Sequence, residues 1–208
     1  VITIICAGTA YADQVSYSDS ISLQSTNWSS SMSIPKFNPT WGILQSIEFS
    51  LSGHVEGIAK FESEDNAPAT VTMDIQADIE LQRPDLSTIL ITIPLAQTSD
   101  NVTAYDGNTD FGGTSGRTYS GLSADQTETT TSPPPASDLV LFTGFGNIIL
   151  PVDATGTSTG SGAGNLILQF LTSASAEATV TYIYEVPEPA TVSLLAFGGL
   201  WMLSRKRR

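Results

Sequence analysis

The sequence predicts an all-β fold: one antiparallel β-sandwich, jelly-roll-like, followed by a short C-terminal hydrophobic helix. Three observations lead there. Apolar and polar residues alternate at a period of two along much of the chain. No stretch of the body carries a long 3.6-residue period. Residues 190–203 form an uncharged apolar run that stops at a basic cluster.

The strands follow in order. Val15 and Tyr17 open the first, with Ile21 and Leu23 after them. Ile47, Phe49 and Leu51 share a face, and Val55, Ala59 and Phe61 continue it past Gly53. The clearest run is Val71, Met73, Ile75, Ala77, Ile79 and Leu81, with Thr72, Asp74, Gln76, Asp78 and Glu80 opposite. One apolar and one acidic face are what an antiparallel strand needs to lie on a core with its back in water. Arg83-Pro84-Asp85 supplies a turn, and Ile89, Ile91, Ile93 and Leu95 return as the hairpin partner. Further strands are expected at 139–142, 147–152, 166–171 and 176–184. About eight to ten strands of this kind make a two-sheet sandwich. The stretches 99–126, 127–137 and 155–165 read as loops of one domain, with Pro133-Pro134-Pro135 as a stiff extended element.

Charge separates the body from its ends. Of 21 Asp and Glu in the 208 residues, all but Glu188 lie within 13–187, against only Lys36, Lys60, Arg83 and Arg117. Such a surface repels nucleic acid and anionic lipid, so neither is expected as a partner. It suits a soluble exported domain or one that collects divalent cations. Cys6 is the single cysteine. The body therefore has no disulfide, thiolate nucleophile or cysteine metal site, and its length suffices for one core without staples.

Both ends read as targeting segments. Residues 1–12 resemble the end of a signal peptide for the Sec export machinery: Val1–Cys6 is apolar, and Ala10-Tyr11-Ala12 is an A-x-A cleavage site before Asp13. No initiator Met or basic region precedes it, so the natural start is expected to lie elsewhere. The body spans 13–186 and the tail 187–208. Pro187 and Pro189 fix their φ angles and push the preceding residues toward extended backbone, so no helix runs back through Glu188. A transmembrane helix is expected at 190–204. Its 14 to 15 residues reach about 22 Å, short of a ~30 Å bilayer core. Arg205, Lys206, Arg207 and Arg208 should stay cytoplasmic, which places the body across the membrane.

Pro187-Glu188-Pro189, the apolar segment with Leu195, Gly198 and Trp201, and the closing Arg-Lys-Arg-Arg together resemble a PEP-CTERM protein-sorting tail. The resemblance implies a Gram-negative exported protein. It also implies transient inner-membrane anchoring, then cleavage near Pro-Glu-Pro by an exosortase-type membrane transpeptidase. Release or transfer to the cell surface would follow, often alongside exopolysaccharide and biofilm production. The body is similar to the choice-of-anchor E type of exported β-domain. The similar stretches are Asp13–Ser33, Ile47–Glu62 and Ser99–Gly121 with Asp110-Phe111-Gly112-Gly113. No catalytic or binding residues carry over from that group.

Within the body, chemistry is sparse, and no catalytic residue is assigned. Gly156-Thr157-Ser158-Thr159-Gly160 matches G-x-S-x-G, but a nucleophile elbow needs a strand, a following helix and a later histidine. The single histidine, His54, comes earlier and reads as an exposed strand residue. Asp106, Asn108 and Asp110 are spaced as a calcium loop begins, yet Phe111 stands where glycine belongs and Arg117 where glutamate belongs. The triplet is not an EF-hand. It is either a plain turn or a looser Ca2+ site. Glu62, Glu64 and Asp65 read as a solvated hairpin end that adds ligands if it folds beside that loop. Trp28, Trp41, Tyr105 and Tyr119 are candidates for stacking on an extracellular polysaccharide or for packing at sheet edges.

The expected role is therefore a non-enzymatic, structural or adhesive protein of the cell surface or extracellular matrix. The alternative is a calcium-assisted carbohydrate-binding module.

Overall fold

The computed structural model describes residues 11–187. They form ten strands and one short helix. The strands are β1 (Tyr11–Ser25), β2 (Trp28–Pro35), β3 (Ile43–Ser63), β4 (Ala69–Gln82), β5 (Thr88–Thr92), β6 (Leu95–Val102), β7 (Gly116–Ser132), β8 (Asn147–Gly156), β9 (Thr159–Ser161) and β10 (Leu166–Val186). Helix α1 (Ser137–Leu141) lies between β7 and β8. All named strand pairs are antiparallel.

Two sheets face each other. Sheet A has the order β1-β10-β3-β7. In sheet B the order is β2-β8-β4-β5, with β6 and β9 also on β4. The registers show β5 and β6 lying in line along one edge of β4, and β8 and β9 along the other. Pro94 sits at the break between β5 and β6, where its missing amide cannot join the ladder. The expected C-terminal helix at 190–204 lies outside the described residues. Among those described, no helix is long and apolar enough to cross a membrane.

The core is the set of inward positions. Val71, Met73, Ile75, Ala77, Ile79 and Leu81 of β4 are all fully buried, as the alternation predicts. They meet Ile47, Phe49, Leu51, Val55, Ala59 and Phe61 of β3 and Ala174, Ala176, Ala178, Val180 and Tyr182 of β10. At mid-sandwich the β10 side chains are small. There a Cβ on Gly53 would strike the methyl groups of Ile79 and Thr92, so the closely packed sheets require glycine. At one end the core becomes aromatic: Phe37 lies 5.9 Å from Tyr182 and 5.1 Å from Tyr184 between ring centroids. The Tyr182 hydroxyl donates to the Pro35 carbonyl at 2.8 Å.

Several sequence expectations need correction. The hairpin partner of β4 forms, but with the opposite parity. Thr92 and Ala96 face the core, while Ile91, Ile93 and Leu95 are 44%, 39% and 46% exposed. Ile79 pairs with Thr92, which fixes the parity for β5. The expected strand at 139–142 is instead α1 and its C-cap, Phe142. The expected loop 99–126 shrinks to 103–115, because β6 and β7 extend into it, and β7 also takes the first part of 127–137. Pro133, Pro134 and Pro135 all follow cis peptide bonds rather than forming an extended rod. The segments expected at 166–171 and 176–184 are one continuous strand, β10. Strand β2 was not foreseen, since only Met32 and Ile34 of its side chains are fully buried.

Candidate functional site

The loop 103–115 folds back over the end of β3. This places the two acidic stretches of the sequence side by side. Tyr105 N–H donates to the Asp65 carbonyl at 2.8 Å. The Thr109 hydroxyl donates to Glu64 Oε1 at 3.2 Å, and Phe111 N–H donates to Glu62 Oε2 at 2.8 Å. Asp65 accepts from Gly164 N–H at 2.6 Å and Asn165 N–H at 3.0 Å, which ties in the β9–β10 turn.

Within the loop, the candidate ligands are engaged as turn closers. Asp106 accepts from Asn108 N–H at 3.0 Å through Oδ1 and from Thr114 N–H at 3.1 Å through Oδ2. These backbone amides, that of Asn108 first, hold its carboxyl below the usual carboxylate range. Asp110 Oδ1 accepts from Gly112 N–H at 2.9 Å. Among the described residues no group of three or more His, Cys, Asp or Glu side chains is arranged to hold a metal ion. A cation here would have to draw on backbone carbonyls, hydroxyls and water, which calcium accepts.

Glu62 is the residue the sequence misjudged. It is not solvated at a hairpin end but fully buried, on the outer face of sheet A beneath the loop. Its register partner on β7 is Gly116, and a side chain there would collide with the Glu62 carboxylate. Phe111, whose amide reaches Glu62, sits at φ 57°, a left-handed conformation uncommon for a bulky residue. The one signal in the sequence was the pairing of an acidic strand end with a glycine-rich loop 49 residues later.

Other candidates fall elsewhere. Ser158 lies in the turn between β8 and β9, strand to strand with no helix after it. Its hydroxyl pairs with Thr172 Oγ1 at 2.8 Å, so it makes no nucleophile elbow. His54 is half-buried on the outer face of sheet A, 2.8 Å from Asp125. The aromatics do not form a common platform. Trp41 packs on Phe37 and Tyr184, Tyr119 packs on Phe61, and the Trp28 indole donates to the Ala174 carbonyl at 3.3 Å. Tyr105 alone faces the acidic loop, its hydroxyl 3.0 Å from that of Thr109. Of the residues at the two ends, Ala12 lies in β1 opposite Glu185, and Pro187 directly follows β10. Ala10, Glu188, Pro189, Arg205, Lys206, Arg207 and Arg208 lie outside the described residues.

A second surface is an ordered polar plane. On the outer face of sheet A, Ser18, Thr179, Ser50 and Thr129 stand in one row across its four strands. Ser16, Thr181, Glu48 and Thr131 form the next row, and Ser20, Glu177, Ser52 and Thr127 a third. Neighbouring hydroxyls bond laterally: Ser16 to Thr181 at 2.8 Å, Ser18 to Thr179 at 2.9 Å and Ser52 to Thr127 at 2.7 Å.

A scan against protein-family models gives no match, and no curated protein matches the chain. The solved structures it is similar to include three of infectious bursal disease virus. The Gx strain structure has 10% identity and a TM-score of 0.21, covering 90% of this chain and 41% of that one. The T13 viral particle has 13% identity and a TM-score of 0.22, covering 86% and 41%. The VP2 subviral particle has 13% identity and a TM-score of 0.21, covering 86% and 37%. The chain thus spans well under half the length of the structures it resembles.

Proposed function

We propose that this chain is an exported, non-enzymatic protein of the cell surface or extracellular matrix, with a structural or adhesive role. In this reading residues 190–204 anchor it briefly in the inner membrane. An exosortase-type transpeptidase then reads Pro187-Glu188-Pro189 and the basic end, and removes the tail. The body wraps as a jelly roll; the passage of consecutive strands from one sheet to the other supports that description.

The observation that carries the structural role is the hydroxyl-rich outer face of sheet A. Its rows of serine and threonine present donors and acceptors together, which suits a hydrated polysaccharide layer. The side chains already bond to one another across strands, so the face is ordered without a ligand. The test is localisation of the full chain against a variant lacking 187–208. The full chain is expected to reach the surface or medium in processed form, and the shortened one to be distributed differently. Identical distribution and processing would overturn the sorting reading.

The second reading, a calcium-assisted carbohydrate-binding module, is favoured by the convergence of Glu62, Glu64 and Asp65 with the 103–115 loop. Calorimetric titration with calcium and then with glycans tests it. Heat from the glycan only after calcium supports the module, and no heat from either removes it.

A further inference from the structure

We propose that Glu62 anchors a buried calcium-binding site between the outer face of sheet A and the 103–115 loop. The inference rests on Glu62 and does not depend on glycan binding or on the sorting tail. Glu62 is fully buried, and while Oε2 accepts the Phe111 amide, Oε1 has no hydrogen-bond partner. An ionised carboxylate with a bare buried oxygen is costly, and proteins resolve it with a cation, a proton or a trapped water.

The surroundings favour added positive charge at Glu62. Glu64, Asp65, Asp106 and Asp110 all belong to the same bonded cluster, so the local field is strongly negative. Neither nearby cationic side chain pairs with Glu62. The Lys60 ammonium lies 5.9 Å from the centre of the Phe111 ring, and Arg117 bonds Asp100 through Nε at 2.7 Å and the Gly113 and Gly116 carbonyls through Nη1 at 3.0 and 2.6 Å. Among the described residues Glu62 has no ion-pair partner. Gly116 lets the backbone lie directly against the Glu62 carboxylate, where a Cβ would collide with Oε2. A hard ion there would take one or two carboxylate oxygens and complete its shell with water and the second lone pairs of loop carbonyls that already accept hydrogen bonds, ligands that calcium accepts. Zinc, which wants nitrogen or sulfur donors, does not fit.

The test uses the full chain in mild detergent, stripped with chelator and then titrated with calcium chloride. A single saturable binding event is expected. At a hundredfold excess over Kd, Tm should rise by about 5–10 °C. Glu62→Gln keeps the shape and removes the charge. It should abolish the calcium response while being at least as stable as wild type in chelator. Calcium should also slow amide exchange of the wild-type chain at residues 105–116, a readout that survives if the variant fails to fold. The proposal is overturned if the wild type shows no saturable calcium binding, or if its amide exchange at 105–116 is unchanged. A folded Glu62→Gln that responds to calcium as wild type does would also overturn it.

Discussion

Arg83 and Asp138 form the most deeply buried ion pair among the described residues, with the Arg83 side chain 14% exposed and Asp138 not at all, and cutting it should be expensive. Asp138 is completely buried at the start of α1, and Arg83 directly follows β4. The contact is bidentate: Arg83 Nε to Oδ1 at 2.7 Å and Nη2 to Oδ2 at 2.8 Å. Arg83 Nη1 also donates to the Thr88 carbonyl at 2.7 Å, which locks the β4–β5 turn. The bond to Asp138 is the main reason the guanidinium holds its proton more tightly than usual. Replacing Arg83 by Met strands a buried carboxylate with no counter-charge. Loss of one partner of a buried pair costs about 3–5 kcal/mol. For a chain of this size that corresponds to a fall in Tm of about 6–20 °C. Removing both charges, as Arg83→Met with Asp138→Leu, leaves an apolar contact and should restore most of the loss. The assay is urea unfolding of the full chain in mild detergent, completed as a double-mutant cycle. A single-variant loss below about 1 kcal/mol, the range of exposed pairs, would refute the reasoning. So would a double variant no more stable than Arg83→Met.

Three further outcomes follow from the same structure. Tyr182→Phe removes the donor to the half-buried Pro35 carbonyl and should cost about 0.5–1.5 kcal/mol in urea unfolding. With the hydroxyl present, burial raises the Tyr182 pKa. The folded state is therefore favoured below the ordinary value of 10 and loses that advantage as pH climbs above it, and absorbance at 295 nm should show Tyr182 ionising only on unfolding. Ile75→Ala, inside the core, should cost about 2–5 kcal/mol, while Ile91→Ala on the outer face stays within about 1 kcal/mol; equal losses would contradict the β5 parity. On the acid side, Arg117 lowers the Asp100 carboxyl and backbone amides lower that of Asp106, both from 3.8. Their stabilisation is present above that value and disappears as pH falls through the lower folded-state values. Tm should therefore decline below about pH 4 and decline less in Asp100→Asn; a flat profile down to pH 2 would exclude these contributions.

Where the sequence was informative, a physical constraint acted locally. The β4 face from Val71 to Leu81 could be read because one strand between solvent and core writes its parity directly into residue type. The parity of β5 and β6 could not be read the same way. Isoleucine suits a strand on either face, and the deciding constraint is pairing with β4. Helix α1, with five residues, is too short to display a 3.6-residue period. Strand β2 hid in a serine run because few of its side chains enter the core. The acidic loop was legible as residue types but not as a site. Glu62 lies far from Phe111 in sequence, and only the β3–β7 register brings them together under one loop. The register rows of Ser and Thr on sheet A are invisible for the same reason: they come from four strands distributed over the whole body.

The central claim is that the tail is an address, read and removed, and that the sandwich acts outside the cell. The most direct measurement is the intact mass of the protein recovered from the cells that make it, with the surface and secreted fractions analysed separately. The account predicts a chain ending near Pro187-Glu188-Pro189, free or bearing an added group at that new end. A surface or secreted protein that still carries Arg205–Arg208 would contradict it.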